Sequence, residues 1–377
     1  MQLALREARR ALGRTRPNPA VGAVVVRAGK VVATGFHHRA GQPHAEAEAL
    51  TKAGAAARGA TLYVTLEPCC HTGRTGPCTE AILAAGVRRV VVGCPDANPK
   101  VDGKGTRQLR AAGVTVDVGC REEECQELNR AFFCWVSEGR PLITLKYAST
   151  LDGIIGDLAP NPSSRAVTGP KAQTFVHQMR ALHHAILVGR GTVQADDPQL
   201  TVRTRRLPRG GSRSLLRVVL DSQLRVSPRA RLFAPTPDAP PPLVLGLAPT
   251  NADEAGLLRR RRALERAGAE VVLLPRRRGL RTLAPVLALL AARGVQSLLV
   301  EGGQHVLSAF ISQSYVDDVA AFVAPRLAGG GVTVTTGRGR GLAATLPLGF
   351  LAVRRLGPDL LVTGRVAHPG RTAETSR

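Results

Sequence analysis

The first 140 residues alternate between short apolar runs and segments of helical periodicity, and this alternation is the feature that most constrains the fold. Runs such as Val21–Val26, Thr61–Thr65 and Arg89–Val92 predict strands, because β-branched residues cluster there between polar turns. Helical spacing of small and apolar residues intervenes at His44–Ala53 and Lys104–Ala112. Strands joined by crossover helices predict a three-layer α/β sandwich.

The same patterns extend along the rest of the chain and restart once. They predict further elements in the first part: helices at Gln2–Gly13, Thr79–Ala85 and Glu122–Phe133, and strands at Val31–Thr34 and Val114–Val118. After a linker at Glu138–Pro141, they predict strands at Leu142–Lys146, Ala185–Gly189, Leu216–Leu220, Leu243–Leu245, Val271–Leu274 and Leu298–Glu301, and helices at Lys171–Arg180, Ala252–Ala267 and Leu283–Arg293. We therefore expect two α/β domains, residues 1–140 and 141–367, followed by a polar tail at residues 368–377.

Apolar runs and cysteine usage indicate a cytoplasmic chain without a membrane span. The longest apolar runs, such as Leu283–Ala292, are too short to cross a bilayer, and the charged first turn does not resemble a secretory signal. Of seven cysteines, five lie between Cys69 and Cys120, which favours a metal site over a disulfide framework.

The net charge of +24 allows two interpretations. Nucleic-acid binding is one, because a basic face releases counterions from phosphates. We favour the other, in which arginines cover solvated surfaces and some bind a phosphorylated small molecule, because aromatic residues make up only 3% of the chain and offer little stacking surface for bases. No nucleic-acid partner is therefore expected.

Three short motifs of the first domain predict a catalytic zinc site: His44-Ala45-Glu46, Glu67-Pro68-Cys69 and Pro77-Cys78. We expect His44, Cys69 and Cys78 to bind the ion, which leaves the fourth tetrahedral position to water. Zinc lowers the pKa of that water towards neutrality, and Glu46 is placed to carry its proton to a ring nitrogen and a leaving amine. Nucleobase deaminases divide the chemistry in this way.

The spacing of the two cysteines leaves a second interpretation open. They lie nine positions apart, whereas the usual deaminase signature separates them by three, so residues 70–77 contain an insertion. A closed structural zinc site could use Cys70 or His71 from this insertion as its fourth ligand. Only the first interpretation leaves room for water.

This insertion, Pro17–Gly22 and Thr65–Cys69 together resemble the bifunctional riboflavin-biosynthesis deaminase–reductase family. The resemblance implies a cytidine-deaminase-like first domain with the same three zinc ligands and Glu46 as proton carrier. It also implies that Arg74 meets the substrate phosphate. Asn18, Asp96 and Asn98 are candidate contacts to the sugar or base, although ordinary turn chemistry explains them equally well.

The second domain resembles the reductase half of the same family in the strings Leu145–Gly153, Ala185–Gly189 and Leu299–Gly303. From the residues alone, Glu301-Gly302-Gly303 is a strand-to-helix turn that could hold a phosphate, and it is not a dinucleotide fingerprint. The resemblance implies a dihydrofolate-reductase-like fold that uses NADPH. It assigns the cofactor to Ala148, Thr192, Asp196, Ser222 and Gly303, and the substrate to Ser164, Arg180, Leu200, Arg203 and Glu301.

The two assigned arginines have a physical rationale and an alternative. Guanidinium meets phosphate in a two-point fit, so Arg180 and Arg203 suit a ribose phosphate. In a chain this rich in arginine, an ordinary surface arginine is the other interpretation of each.

Departures from the family pattern concern the cofactor site. Ala166 stands where the family commonly has a tryptophan, Thr150 where it has a serine, and two extra residues lie in Asp157–Arg165. The sequence therefore leaves open that only the deaminase half is active.

The implied reaction has two steps. Zinc-bound hydroxide deaminates 2,5-diamino-6-ribosylamino-4(3H)-pyrimidinone 5′-phosphate, and NADPH then reduces the ribosyl group to ribityl. We also expect a homo-oligomer. The rival from another class is a nucleic-acid base deaminase, suggested by the charge and opposed by the long insertion and the second domain.

Overall fold

The computed structural model describes residues 1–72, 76–98, 101–158, 166–249, 254–276, 282–337, 339 and 341–367. The chain divides into two units, one of Met1–Arg140 with Pro208–Gly211 and one of Pro141–Leu207 with the residues from Ser212 onward. None of the described helices is long and apolar enough to cross a membrane.

The first unit is a five-stranded sheet between two layers of helices. Its strands are β1 (Gly22–Arg27), β2 (Lys30–Phe36), β3 (Thr61–Leu66), β4 (Arg89–Cys94) and β5 (Thr115–Val118), in the order β2-β1-β3-β4-β5. Its helices are α1 (Gln2–Ala8), α2 (Ala45–Ala53), α3 (Cys78–Ala84), α4 (Lys104–Ala111), α5 (Glu122–Leu128) and α6 (Arg130–Glu138). β1 runs antiparallel to both neighbours, whereas β3, β4 and β5 are parallel. Because α2, α3 and α4 share one core and α1 and α5 share another, the predicted three-layer sandwich is confirmed.

Helix α2 lies directly on β2, and this contact fixes the residues at its start. Ala45, Ala49 and Ala53 recur every fourth position, so the buried face of the helix is built from small side chains. A Cβ atom on Gly35 of β2 would lie only 2.4 Å from the carbonyl oxygen of Ala45. Glycine is therefore required there, and it brings the first turn of α2 against the sheet.

The prediction of one helix over Glu122–Phe133 is wrong. The segment forms α5 and α6, which meet at Asn129. The side-chain Oδ1 of Asn129 accepts a hydrogen bond from the backbone nitrogen of Ala20 at 2.9 Å, and its Nδ2 donates to the carbonyl oxygen of Ala20 at 3.0 Å. This pairing across 109 positions overrides local helix periodicity. The first helix is also shorter than predicted, because α1 ends at Ala8 and turns follow to Gly13.

The second unit contains a nine-stranded sheet with helices on both faces. Its strands are β6 (Leu142–Thr150), β7 (Ile154–Gly156), β8 (Ala185–Gly189), β9 (Leu216–Leu220), β10 (Leu243–Leu247), β11 (Glu270–Leu274), β12 (Ser297–Val300), β13 (Asp318–Ala324), β14 (Val332–Thr333), β15 (Leu348–Leu356) and β16 (Asp359–Val366). Its helices are α7 (Pro170–Leu182), α8 (Arg190–Asp196), α9 (Glu254–Arg266), α10 (Ala284–Ala292) and α11 (Gln304–Ser312). The sheet order is β11-β10-β9-β8-β12-β6-β13-β16-β15, and β7 pairs separately with β14.

The strands of the large sheet divide by direction. From β11 to β13 all neighbours are parallel, and the last two strands, β16 and β15, run antiparallel. The sequence analysis predicted the parallel strands up to residue 301 and no strand beyond it. The last three strands of the large sheet in chain order, β13, β15 and β16, were therefore not predicted from the sequence.

Candidate functional site

Three side chains that could bind a metal ion meet at the carboxyl end of β3. His44 is the residue before α2, Cys69 lies in the loop after β3, and Cys78 is the first residue of α3. Nδ1 of His44 lies 3.1 Å from Sγ of Cys78 and 3.6 Å from Sγ of Cys69, and all three donor atoms lie within 4.8 Å of one another. The parallel strand and the two helix starts thus bring together residues that are 34 positions apart.

These donors fit a zinc ion. Zn–N and Zn–S bonds of about 2.0 and 2.3 Å at a tetrahedral angle separate nitrogen and sulfur by about 3.5 Å. The observed 3.1 and 3.6 Å lie on either side of that separation. No other histidine, cysteine, aspartate or glutamate of the described residues joins this group, including Cys70 and His71. The described geometry therefore matches a three-ligand site and offers no protein side chain for a closed one.

The environment of the two thiols favours a thiolate. A hydrogen bond from Cys78 lowers the pKa of Cys69 well below its ordinary value, and the nearby His44 lowers it further. The backbone nitrogen of Cys78 also donates to Sγ of Cys69 at 3.4 Å. The hydrogen bond to Cys69 and burial raise the pKa of Cys78 well above its ordinary value, so one thiol of the pair ionises more readily than the other.

Glu46 lies in the first turn of α2, two residues from His44, and is 3% exposed. Burial raises the pKa of Glu46 to about 7, and the negative charge of Cys69 adds to the shift. A carboxyl group with this pKa can both take and give a proton near neutral pH.

A cavity of about 340 Å³ opens beside the three ligands. The candidate contacts Asn18, Asp96 and Asn98 all line this cavity. Asp96 also makes the turn contact that the sequence allowed, because its Oδ1 accepts the backbone N–H of Asn98 at 2.9 Å. Arg74, the expected phosphate contact, lies outside the described residues.

His37 lines the same cavity, and the sequence analysis did not name it. Its Nδ1 lies 3.1 Å from the carbonyl oxygen of Pro43, which can only accept, so Nδ1 carries the proton. Its Nε2 then accepts from Nδ2 of Asn18 at 3.1 Å, which fixes the amide orientation of Asn18. Burial lowers the pKa of His37 and keeps the ring neutral. Asn18 therefore has its oxygen left to accept a hydrogen bond from a ligand.

Glu67 is a second residue whose role the sequence did not reveal. Its buried carboxylate accepts backbone N–H bonds from Gly103 and Thr106, both at 3.0 Å, and so holds the start of α4. A Cβ on Gly105 would lie 2.0 Å from the carbonyl oxygen of Pro68, so α4 presses on the segment that carries Cys69. Glu67 thus ties the zinc-ligand segment to the helix that follows the Asp96–Asn98 loop.

Aromatic side chains supply the apolar wall of the cavity. Phe132 and Trp135 from α6 lie three positions apart on one helical face, with ring centroids 6.4 Å apart, and both line the cavity. A flat ring would find a stacking surface there. The single tryptophan of the chain was the available signal in the sequence.

In the second unit, the expected cofactor and substrate residues follow the carboxyl ends of adjacent parallel strands. β9, β8, β12 and β6 are neighbours in the sheet. Ser222 follows β9, Thr192 and Asp196 follow β8, Glu301 and Gly303 follow β12, and Ala148 lies near the end of β6. Open parallel sheets bind ligands at this edge. Ser164 lies outside the described residues.

A buried ion cluster occupies this edge. Nε and Nη2 of Arg180 donate to the two carboxylate oxygens of Glu301 at 2.8 and 2.9 Å, and Nζ of Lys146 lies 3.3 Å from the same carboxylate. The side chain of Arg180 is 12% exposed, so it is not an ordinary surface arginine. Its two-point contact is made with Glu301, while Nη1 of Arg203 donates to Gln199. Lys146 was not among the expected site residues.

The start of α11 lies close to the ends of β8 and β12 because glycines leave room for it. A Cβ on Gly302 would lie 2.5 Å from Cβ of Val306, and one on Gly189 would lie 2.7 Å from Cγ2 of the same valine. Both glycines therefore let α11 approach the ends of β8 and β12. The backbone N–H of Gly303 donates to Oγ1 of Thr192 at 3.0 Å, which joins two expected cofactor residues. Backbone amides at a helix start suit a diphosphate.

Comparisons with known proteins cover both units. The model of the cytidine and deoxycytidylate deaminase zinc-binding region matches residues 1–94, and the model of the RibD C-terminal domain matches residues 141–362. The chain is 41% identical over 365 residues to riboflavin biosynthesis protein RibD of Aquifex aeolicus, which covers 96% of each chain.

Two solved structures are similar over nearly the whole length. Acinetobacter baumannii RibD matches with a TM-score of 0.82 at 35% identity, covering 97% of this chain and 98% of that one. A diaminohydroxyphosphoribosylaminopyrimidine deaminase/5-amino-6-(5-phosphoribosylamino)uracil reductase from Thermotoga maritima matches with a TM-score of 0.79 at 35% identity, covering 97% of both. The expected fold classes, zinc and NADPH are confirmed. The chain belongs to the RibD family of riboflavin-biosynthesis proteins, bifunctional enzymes that join a zinc-dependent deaminase to an NADPH-dependent reductase.

Proposed function

We propose that this enzyme converts 2,5-diamino-6-ribosylamino-4(3H)-pyrimidinone 5′-phosphate in two steps. Residues 1–140 remove the 2-amino group as ammonia, and residues 141–367 then reduce the ribosyl group to a ribityl chain. The proposal leaves residues 368–377 as a tail outside both steps. The observation that carries it is the set of three zinc donors beside buried Glu46, at a cavity with amide, carboxylate and aromatic walls.

Each wall of the cavity has a role in the first step. Zinc held by His44, Cys69 and Cys78 supplies a water molecule activated for attack on the ring carbon that bears the amine. Glu46 takes one proton of that water and gives it to the ring nitrogen, and it then moves the remaining hydroxyl proton to the amine, which leaves as ammonia. Asn18, oriented by His37, accepts from the ligand, and Trp135 stacks on the ring. Arg74 is assigned to the phosphate by family resemblance.

The second step uses the edge formed by β9, β8, β12 and β6. NADPH supplies the hydride that opens the ribose ring. We assign the cofactor to Ala148, Thr192, Asp196, Ser222 and Gly303, and the substrate to Ser164, Arg180, Leu200, Arg203 and Glu301. Arg203 is exposed and has a phosphate-binding guanidinium, whereas Arg180 holds Glu301 and so shapes the sugar-binding surface.

One assay distinguishes this proposal from its rivals. Zinc content, ammonia release and NADPH oxidation are measured on one preparation of the full chain with the diaminopyrimidine nucleotide. We expect one zinc per chain, ammonia release, and NADPH oxidation that follows it. Ammonia without NADPH oxidation would mean that only the deaminase half works, and deamination of tRNA or single-stranded DNA instead would favour a nucleic-acid base deaminase.

Replacing Cys78 with alanine tests the zinc assignment. The variant removes one of three protein ligands, so zinc bound after dialysis against a weak chelator should fall well below one per chain, and ammonia release should fall with it. Cys120→Ala is the matched control, because Cys120 is a partly exposed thiol outside the donor group. Full zinc occupancy in Cys78→Ala, measured by metal analysis, would contradict the ligand set.

The proposal extends to assembly and compartment. A homo-oligomer is supported by β15, an edge strand on which Phe350, Leu351 and Val353 are 83%, 60% and 62% exposed, because an apolar sheet edge favours pairing with another strand. A cytoplasmic site of action is supported by the need for reduced thiols at Cys69 and Cys78. Light scattering by the purified chain at its working concentration checks the first, and a monomeric mass would reject it. Fractionation of the source cells checks the second.

A further inference from the structure

The loop from Asp197 to Arg203, between α8 and β9, has an unusual backbone. Asp197 has φ +38° and Leu200 has φ +54°, the left-handed region that side-chain-bearing residues rarely adopt. Leu200 is nevertheless 2% exposed and packs in the same core cluster as Ala181 of α7. A backbone of this kind persists only where surrounding contacts enforce it.

Some of those contacts come from one face of α7, while Nη1 of Arg213 donates to the carbonyl oxygen of Val202 at 3.1 Å and the backbone nitrogen of Arg231 donates to Asp197 at 2.8 Å. Nδ1 of His177 lies 3.1 Å from the carbonyl oxygen of Thr201 and 3.2 Å from the backbone nitrogen of Arg203. Three positions along, Nη1 of Arg180 donates to the same carbonyl oxygen of Thr201 at a longer 3.4 Å. Nε and Nη2 of Arg180 donate to Glu301. His177 therefore makes closer contacts to the loop than Arg180 does.

His177 is suited to hold a backbone rather than to carry charge. Burial, and then the positive charges of Arg180 and Arg203, lower the pKa of His177 to about 4. A neutral ring bonds to the loop in either tautomer, since protonated Nδ1 donates to Thr201 and unprotonated Nδ1 accepts the N–H of Arg203. In both cases Nδ1 of His177 holds the backbone next to Val202, at Thr201 in one tautomer and at Arg203 in the other.

We propose that His177 is a positioning residue for the reductase step, which sets the Asp197–Arg203 loop so that Arg203 meets the phosphorylated sugar of the substrate. The inference rests on the proposed function, which assigns Leu200 and Arg203 to that substrate. His177 does not touch the reacting atoms. Without its ring nitrogen, the loop would relax towards ordinary backbone angles, and the guanidinium of Arg203 would lose its place.

Three substitutions of His177 separate positioning from packing. H177F keeps the ring without the nitrogen, H177N puts amide atoms where Nδ1 was, and H177Q puts them nearer the position of Nε2. We expect H177F and H177Q to raise the KM for the deaminated substrate about tenfold, as for one lost hydrogen bond, with a smaller change in kcat. H177N should return KM to within about threefold of the unchanged enzyme, because it restores the bond to the loop.

The measurement is NADPH oxidation by the full chain against concentration of the deaminated nucleotide. Ammonia release by the other unit of the same preparation is the control and should not change. Equal KM values for H177N and H177Q would overturn the inference, and that comparison holds even if H177F fails to fold. R203A separates a failure of the proposed function from a failure of this inference. An unchanged KM in R203A would refute the assignment of Arg203 to the substrate. A raised KM in R203A together with an unchanged KM in H177Q would refute only the role of His177.

Discussion

Replacement of Glu46 by glutamine should lower the kcat of deamination by about 10²–10⁴-fold, the usual contribution of a positioned general acid–base group. Glutamine keeps the size and one acceptor of the side chain but cannot take a proton. The zinc donors His44, Cys69 and Cys78 are untouched, so the metal content should stay at that of the unchanged enzyme. Ammonia release and metal analysis on the same sample measure the two quantities.

Two controls make the Glu46 result specific. Glu80→Gln removes a carboxylate from the exposed side of α3 and should leave deamination unchanged. NADPH oxidation with the already deaminated substrate should be unaffected in Glu46→Gln, since that step belongs to the other unit. A variant that keeps zinc and still releases ammonia at the normal rate would show that another group carries the proton.

The grouping of His44, Cys69 and Cys78 was predictable because their chemistry is encoded in short motifs. His44, Glu46, Cys69 and Cys78 each stand next to a strand end or helix start, so local patterns sufficed to predict that they meet. His37 and Glu67 were not predicted, because their roles depend on partners that sequence spacing does not reveal. His37 bonds across 19 positions to Asn18, and Glu67 bonds to backbone nitrogens 36 and 39 positions away.

The fold was predictable where periodicity is local and failed where tertiary contacts decide. The parallel strands β8, β10 and β12 are nearly continuous apolar runs, which is typical of strands buried on both faces. The break between α5 and α6 escaped prediction because it depends on the pairing of Asn129 with Ala20. In the second unit, the Arg180–Glu301 pair joins residues 121 positions apart, so resemblance could name both residues but not their mutual contact.

The largest stability effect is expected at that pair. Glu301 pairs with both Arg180 and Lys146, and its side chain is 7% exposed. Glu301→Gln would leave two buried cations side by side with a neutral amide. Breaking a buried ion pair by removing one partner costs about 3–5 kcal/mol. We therefore expect the denaturant-induced unfolding of the second unit to shift to markedly lower denaturant concentration, and NADPH oxidation to be lost.

The matched control is Glu270→Gln in the same unit. Glu270 pairs with Arg293 at 2.7 Å but is 49% exposed, so its loss should cost no more than about 1 kcal/mol. Equal unfolding midpoints for the two variants would contradict a special role for the buried cluster.

The pH dependence of the stability lost in Glu301→Gln tests whether the ionised carboxylate of Glu301 stabilises the cluster. Burial alone would raise the pKa of Glu301, but the charges of Arg180 and Lys146 outweigh it and hold the pKa well below its usual range. A carboxyl group with a depressed pKa in the folded state stabilises fully above its unfolded pKa of about 4.3, and that contribution is lost as pH falls towards the folded value. The stability difference between the unchanged enzyme and Glu301→Gln should thus be constant between about pH 6 and 8. It should shrink below about pH 4, where the carboxylate begins to be protonated in the unfolded state. A difference that grows on acidification would mean that the carboxylate is not the group that stabilises the cluster.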